Sequence, residues 1–66
     1  MPVIKVIEVM ATSSKGWEDA AKNAVVHAAK TVKNIKSVYI KDQSARVQGE
    51  NLTEYRVNVK ISFEVS

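Results

Sequence analysis

A chain of 66 residues, 45% hydrophobic and 26% charged, has room for one small folded domain over residues 1–66 and too much apolar content to stay disordered. With no cysteine and one histidine, it excludes a disulfide framework, a thiolate zinc site and a histidine metal cage. Ten Lys and Arg against seven Asp and Glu give a net charge of +3, but the basic residues are spread along the chain with acidic ones between them, which reads as a solvated surface.

The first segment, Val3-Ile4-Lys5-Val6-Ile7-Glu8-Val9, is short and rich in β-branched residues. It is flanked by Pro2 and the small polar stretch Ala11 to Ser14, and predicts a strand. Thr12 to Gly16 reads as a loop carrying helix-capping chemistry. Either Ser14 or Gly16 is the N-cap, and with Gly16 there Asp19 falls at the third helical position, near the positive end of the helix. From Trp17 the period changes. Trp17, Ala20, Ala21, Ala24, Ala28 and Val32 recur at spacings of three and four, predicting an amphipathic helix of about 17 residues. An alanine stripe lets that helix sit close on a sheet, with Trp17 as its single large anchor.

The stretch Lys36 to Gln48 contains Val38, Tyr39, Ile40 and Val47 around a polar interruption at Asp42-Gln43-Ser44, and Gly49-Glu50-Asn51 reads as a hairpin turn. Tyr55, Val57, Val59, Ile61, Phe63 and Val65 then alternate with polar residues, predicting a long half-buried strand. The expected class is α+β, ordered β-α-β-β, with a three-stranded antiparallel sheet wrapped on one helix.

A chain shorter than about 70–80 residues rarely builds a core worth more than about 3–5 kcal/mol. Without disulfides or a metal, self-association is the expected remedy, and strands that outreach one helix point the same way. No apolar run is long enough to span a membrane, and Met1-Pro2-Val3-Ile4-Lys5 lacks the features of a signal peptide, so a cytoplasmic location is expected. No carboxylate pair, Ser-His-Asp set or phosphate-cradling loop is present. Gly16 and Gly49 are isolated and His27 reads as a surface or interface residue, so no enzyme is expected. Trp17 and Phe63 read as core, which leaves only Tyr39 and Tyr55 for base stacking; a nucleic-acid module is the weakest reading. Glu8, Asp42, Glu54 and Glu64 are scattered, so a hard metal ion would need ligands from different subunits.

Val3 to Val9, Ala11-Thr12-Ser13 and Gly16-Trp17-Glu18-Asp19-Ala20-Ala21 resemble the dodecins, as do Asn34-Ile35-Lys36 and Tyr55-Arg56-Val57-Asn58-Val59-Lys60-Ile61-Ser62-Phe63. The resemblance covers essentially the whole chain. It implies a β-α-β-β protein that assembles into a hollow homododecamer and binds flavin, FMN or riboflavin, at subunit interfaces, for sequestration and photoprotection. It further implies a tryptophan near the start of the second strand that stacks on the isoalloxazine, and a glutamine on the third strand that holds the ring edge. In this chain those two positions carry Ser37 and Arg56.

Serine has no π-face, so about one to a few kcal/mol of stacking per ring face is absent. Arginine has no acceptor to replace the amide oxygen. Val38, Tyr39, Asp42 and Arg46 complete the flavin-binding positions by family match. Asp42 corresponds to an Asp of archaeal members near the flavin, and Arg46 to a basic residue of bacterial members near the ligand phosphate. Asp42 also reads as the mark of a bulge, Arg46 as a solvated strand residue, and Trp17 as a packing anchor. Tyr39, two residues from Ser37, shares its strand face and is the nearest aromatic to the lost tryptophan. The expected function is a non-catalytic homododecameric small-molecule binding or storage protein with an altered flavin site. Two alternatives are a flavin binder with a remodelled pocket, and a cage for a metal ion or another anionic ligand presenting Arg46 and Arg56.

Overall fold

The computed structural model describes residues 3–65, in the order β1 (Val3–Ser13), α1 (Trp17–Ala28), β2 (Ile35–Gln48) and β3 (Asn51–Val65). The expected class and element order are therefore observed. The sheet runs β1-β3-β2, and β3 pairs antiparallel with both neighbours. The strand with the cleanest alternation occupies the centre because only a central strand has both edges paired. Its Val57, Val59 and Ile61 are fully buried.

Opposite them lie Ala20, Ala21, Ala24 and Ala28 of α1, all buried, with Ile7, Val9, Ala11, Trp17, Val25 and Ile35 packed around the rim. Small side chains on the helix let its backbone approach the sheet, while the larger residues come from the strand. Each fully buried Val or Ile contributes about 1.5–3 kcal/mol. Three such side chains make a thin core.

The boundaries differ from expectation at three places. β1 continues past Val9 to Ser13, because Met10 to Ser13 keep pairing with Asn58 to Tyr55. β3 begins at Asn51, which leaves Gly49 and Glu50 as a two-residue turn closed by the Gln48–Asn51 pair. Gly49 has φ 66 and Glu50 does not share the positive φ, the pattern of a type II′ hairpin. The helix is 12 residues long, not 17. After Ala28 the turn tightens: Lys30 N–H donates to the His27 carbonyl at 3.2 Å and Thr31 N–H to that of Ala28 at 3.1 Å. Asn34, at φ 62, then turns the chain into β2, and its carbonyl accepts from the Glu64 N–H at 3.1 Å. Val32 is half-buried but lies beyond the helix.

At its other end α1 is capped by Gly16, one of the two expected residues, with no side-chain cap. Asp19 instead accepts from Ser13 Oγ at 2.6 Å, and Ser13 Oγ accepts from Lys15 N–H at 2.9 Å, which fastens the loop to the first turn.

The described chain extends 51 × 19 × 12 Å with a radius of gyration of 13.5 Å. A compact chain of this length has a radius near about 11 Å. The helix is only about 18 Å long. Beyond its reach, Val38, Ile40, Val47 and Leu52 are exposed, and on the other face so are Ile4, Val6, Met10 and Tyr39. Among the described residues no helix is long and apolar enough to cross a membrane.

Candidate functional site

The ladder between β2 and β3 sets Ser37 opposite Ser62, Tyr39 opposite Lys60, Asp42 opposite Asn58, Ser44 opposite Arg56 and Arg46 opposite Glu54. Directly opposed residues share a sheet face. Ser37, Tyr39, Asp42, Arg46 and Arg56 thus all lie on the face turned away from α1. Val38 is the exception: it opposes Ile61, a core residue, and belongs to the helix side.

Bulges produce this grouping. Register shifts fall between Ile35 and Ser37, between Ile40 and Asp42, and between Arg46 and Val47. The middle one lets odd-numbered Ser37 and Tyr39 share a face with even-numbered Asp42, Ser44 and Arg46. Asp42 does border a bulge, as one of its two readings anticipated. The bulge residue Lys41 reaches across β3 to Glu8, Nζ to Oε1 at 3.3 Å, with both side chains about half exposed. Such a pair adds about 0–1 kcal/mol.

The outer face has two chemically different ends. At one end the Ser37 hydroxyl is hydrogen-bonded to that of Ser62. No aromatic plane stands there; the nearest along the strand is Tyr39, 64% exposed. At the hairpin end, Ser44, Ala45, Arg46 and Arg56 line a cleft of about 240 Å³. The Arg56 Nη2 donates to Glu54 Oε1 at 3.2 Å, and Glu54 also faces Arg46 across the ladder. The Arg56 guanidinium is therefore paired with a carboxylate, while Arg46 makes no ion pair among the described residues.

The rows of Ser37 and Arg56 are separated along β3 by the six residues from Ser62 to Arg56, about 20 Å at the strand rise. A single chain cannot bring both onto one flat ring.

Trp17 acts on the opposite side of the sheet. Its Nε1 donates to the Ser44 carbonyl at 2.8 Å, and its ring meets Tyr55 edge-on at 4.9 Å and 81°. The packing-anchor reading holds, and the indole also braces the strand beneath the arginine cleft. Ser44 lines the cleft and Glu54 borders it through Arg56, although sequence reasoning gave neither a place there. Their signal was the register, which depends on bulges that local composition does not reveal.

Among the described residues no three His, Asp or Glu come close enough to hold a metal ion. Glu8, Asp42, Glu54 and Glu64 oppose Lys60, Asn58, Arg46 and Ile4 respectively, each in a different row. His27 is exposed in the last helical turn.

Residues 3–66 match the family model described as Dodecin. The calcium dodecin of Mycobacterium tuberculosis is 34% identical over 65 residues, covering 98% of this chain and 92% of that protein. The crystal structure of that calcium-chelating antigen, described as having a novel calcium-binding site, is 33% identical with a TM-score of 0.81, covering 97% of this chain and 91% of the other. A crystallised variant of Thermus thermophilus dodecin is 26% identical with a TM-score of 0.92, covering 100% of this chain and 98% of the other.

Proposed function

This chain belongs to the dodecin family, and on that premise we propose that it is a cytoplasmic, non-catalytic small-molecule binding or storage protein. It works as a hollow homododecamer whose usual flavin position is altered and whose ligand recognition has moved to the arginine cleft. The observation that carries the reading is the division of the outer face. Ser37 commits its hydroxyl to Ser62 where stacking would be needed, while Arg46 and Arg56 line an open cleft, with Glu54 paired to Arg56 at its edge. Guanidinium groups recognise anionic oxygens through a planar fork of donors. They offer nothing to the acceptor-seeking edge of a neutral ring.

Assembly is supported by shape. A three-residue large-side-chain core, an elongated outline and bare apolar residues on both sheet faces leave surface that further copies would cover. A calcium site such as the one named for the M. tuberculosis relative would need oxygen ligands from several copies here, since Glu8 and Glu54 are already paired with Lys41 and Arg56. A remodelled flavin site would lean on Tyr39, the exposed aromatic on the same face.

Native mass spectrometry of the freshly purified protein, with the released ligand weighed, tests the reading. The expected result is a twelve-subunit mass that takes up no flavin increments in excess riboflavin or FMN but retains small anions. Whole flavin increments would return the site to the usual family ligand. A monomer or dimer would overturn the cage.

A further inference from the structure

Glu54 does not line the arginine cleft but sits at its edge, paired to the lining Arg56, and its position is set twice over by the fold. Along β3 it lies two residues before Arg56 on the same face, with its carboxylate on the Arg56 guanidinium at 3.2 Å. Across the ladder it is the direct partner of Arg46. Arg46 makes no ion pair of its own among the described residues, so Glu54 engages one guanidinium and leaves the other open. The framework beneath is braced at two carbonyls: Trp17 Nε1 holds that of Ser44 at 2.8 Å, and Thr53 Oγ1 holds that of Arg46 at 3.4 Å. Ser44, directly opposite Arg56, brings a hydroxyl to the cleft wall.

From this arrangement we propose that Glu54 is the specificity-determining residue of the cleft, a built-in counter-ion that matches it to one singly charged, two-oxygen anionic group per chain and disfavours dianionic phosphate. The proposal rests on the anion-binding reading given above. Two guanidinium charges less one carboxylate leave a single positive charge. A carboxylate or phosphodiester neutralises the cleft, and its two oxygens suit a guanidinium fork. A dianionic phosphate monoester overshoots by one charge and meets the Glu54 carboxylate at close range. The Arg56–Glu54 pair is partly solvated, with side chains 44% and 37% exposed, so the effect is a bias in preference and not a barrier to binding.

The test is calorimetric titration of the assembled full-length protein and its Glu54→Gln variant at low salt and mildly alkaline pH. The probes are acetate, dimethyl phosphate and phenyl phosphate. Glu54→Gln is expected to tighten phenyl phosphate about threefold to fivefold more than either singly charged probe, the range an exposed charge pair supports. The order of acetate and dimethyl phosphate in the unsubstituted protein assigns the occupant as carboxylate or phosphodiester. An unchanged ratio between singly and doubly charged probes overturns the role of Glu54 and leaves the cleft standing. Absence of binding by every probe to both proteins, or binding that survives Arg46→Ala with Arg56→Ala, overturns the cleft itself.

Discussion

The pair of hydroxyls formed by Ser37 and Ser62 occupies the row where a stacking side chain is expected for this family, and it leaves that row without an aromatic plane. Replacing Ser37 by Trp and Arg56 by Gln in one protein restores a π-face and an amide edge, with each substituted residue on a solvent-exposed strand position. The double variant is expected to bind riboflavin at least about fivefold more tightly than the parent, since aromatic stacking is worth about 1–3 kcal/mol. Quenching of riboflavin fluorescence reads this directly, and equal quenching by both proteins would contradict the assignment of those positions. Trp17 supports the arginine end of the sheet from behind. Trp17→Phe keeps an aromatic ring against Tyr55 but loses the Nε1 bond to Ser44, and should cost about 1 kcal/mol in denaturant unfolding. A loss near zero would mean that solvent replaces the indole donor without cost.

At the level of elements, the helix is fitted to the sheet by the smallness of its buried stripe. Ala24, 1% exposed, lies at the centre of that contact among Ala20, Ala21 and Ala28, above the fully buried valines of β3. Ala24→Leu inserts a branched side chain where no space exists and should destabilise the fold by about 1–3 kcal/mol, measured by thermal or denaturant unfolding. A neutral outcome would show that the helix can lift from the sheet freely. The alanine stripe and the hairpin glycine were legible in the sequence because each follows from a local rule: periodicity for one, a positive φ for the other. The helix end was not. Lys30, Lys33 and Val32 continue the helical pattern, but the link to β2 needs Asn34 in a left-handed turn bonded to Glu64, a requirement of the sheet and not of the local residues.

For the whole molecule, the balance between one 12-residue helix and strands of up to 15 residues leaves most of the sheet without a covering layer. Where further copies cover that surface, folding and association are coupled, and stability depends on protein concentration by mass action. The melting temperature is expected to rise by about 5–10 °C for each tenfold increase in concentration, as scanning calorimetry would record. A melting temperature independent of concentration would mean that the thin core suffices alone. The sequence determined the element order, the helical alanine stripe and the long alternating third strand, because each depends on composition and on spacings of two or three to four residues. Only the tertiary structure decided which residues share the outer face. Two bulges along β2, at Lys36 and Lys41, and one along β3, at Thr53, reset the alternation; they place Ser44 opposite Arg56 and Glu54 opposite Arg46 while sending Val38 to the helix side. A bulge is stabilised by pairing with a strand distant in sequence, so the face a β2 residue presents is set by β3 and cannot be counted from its own neighbours.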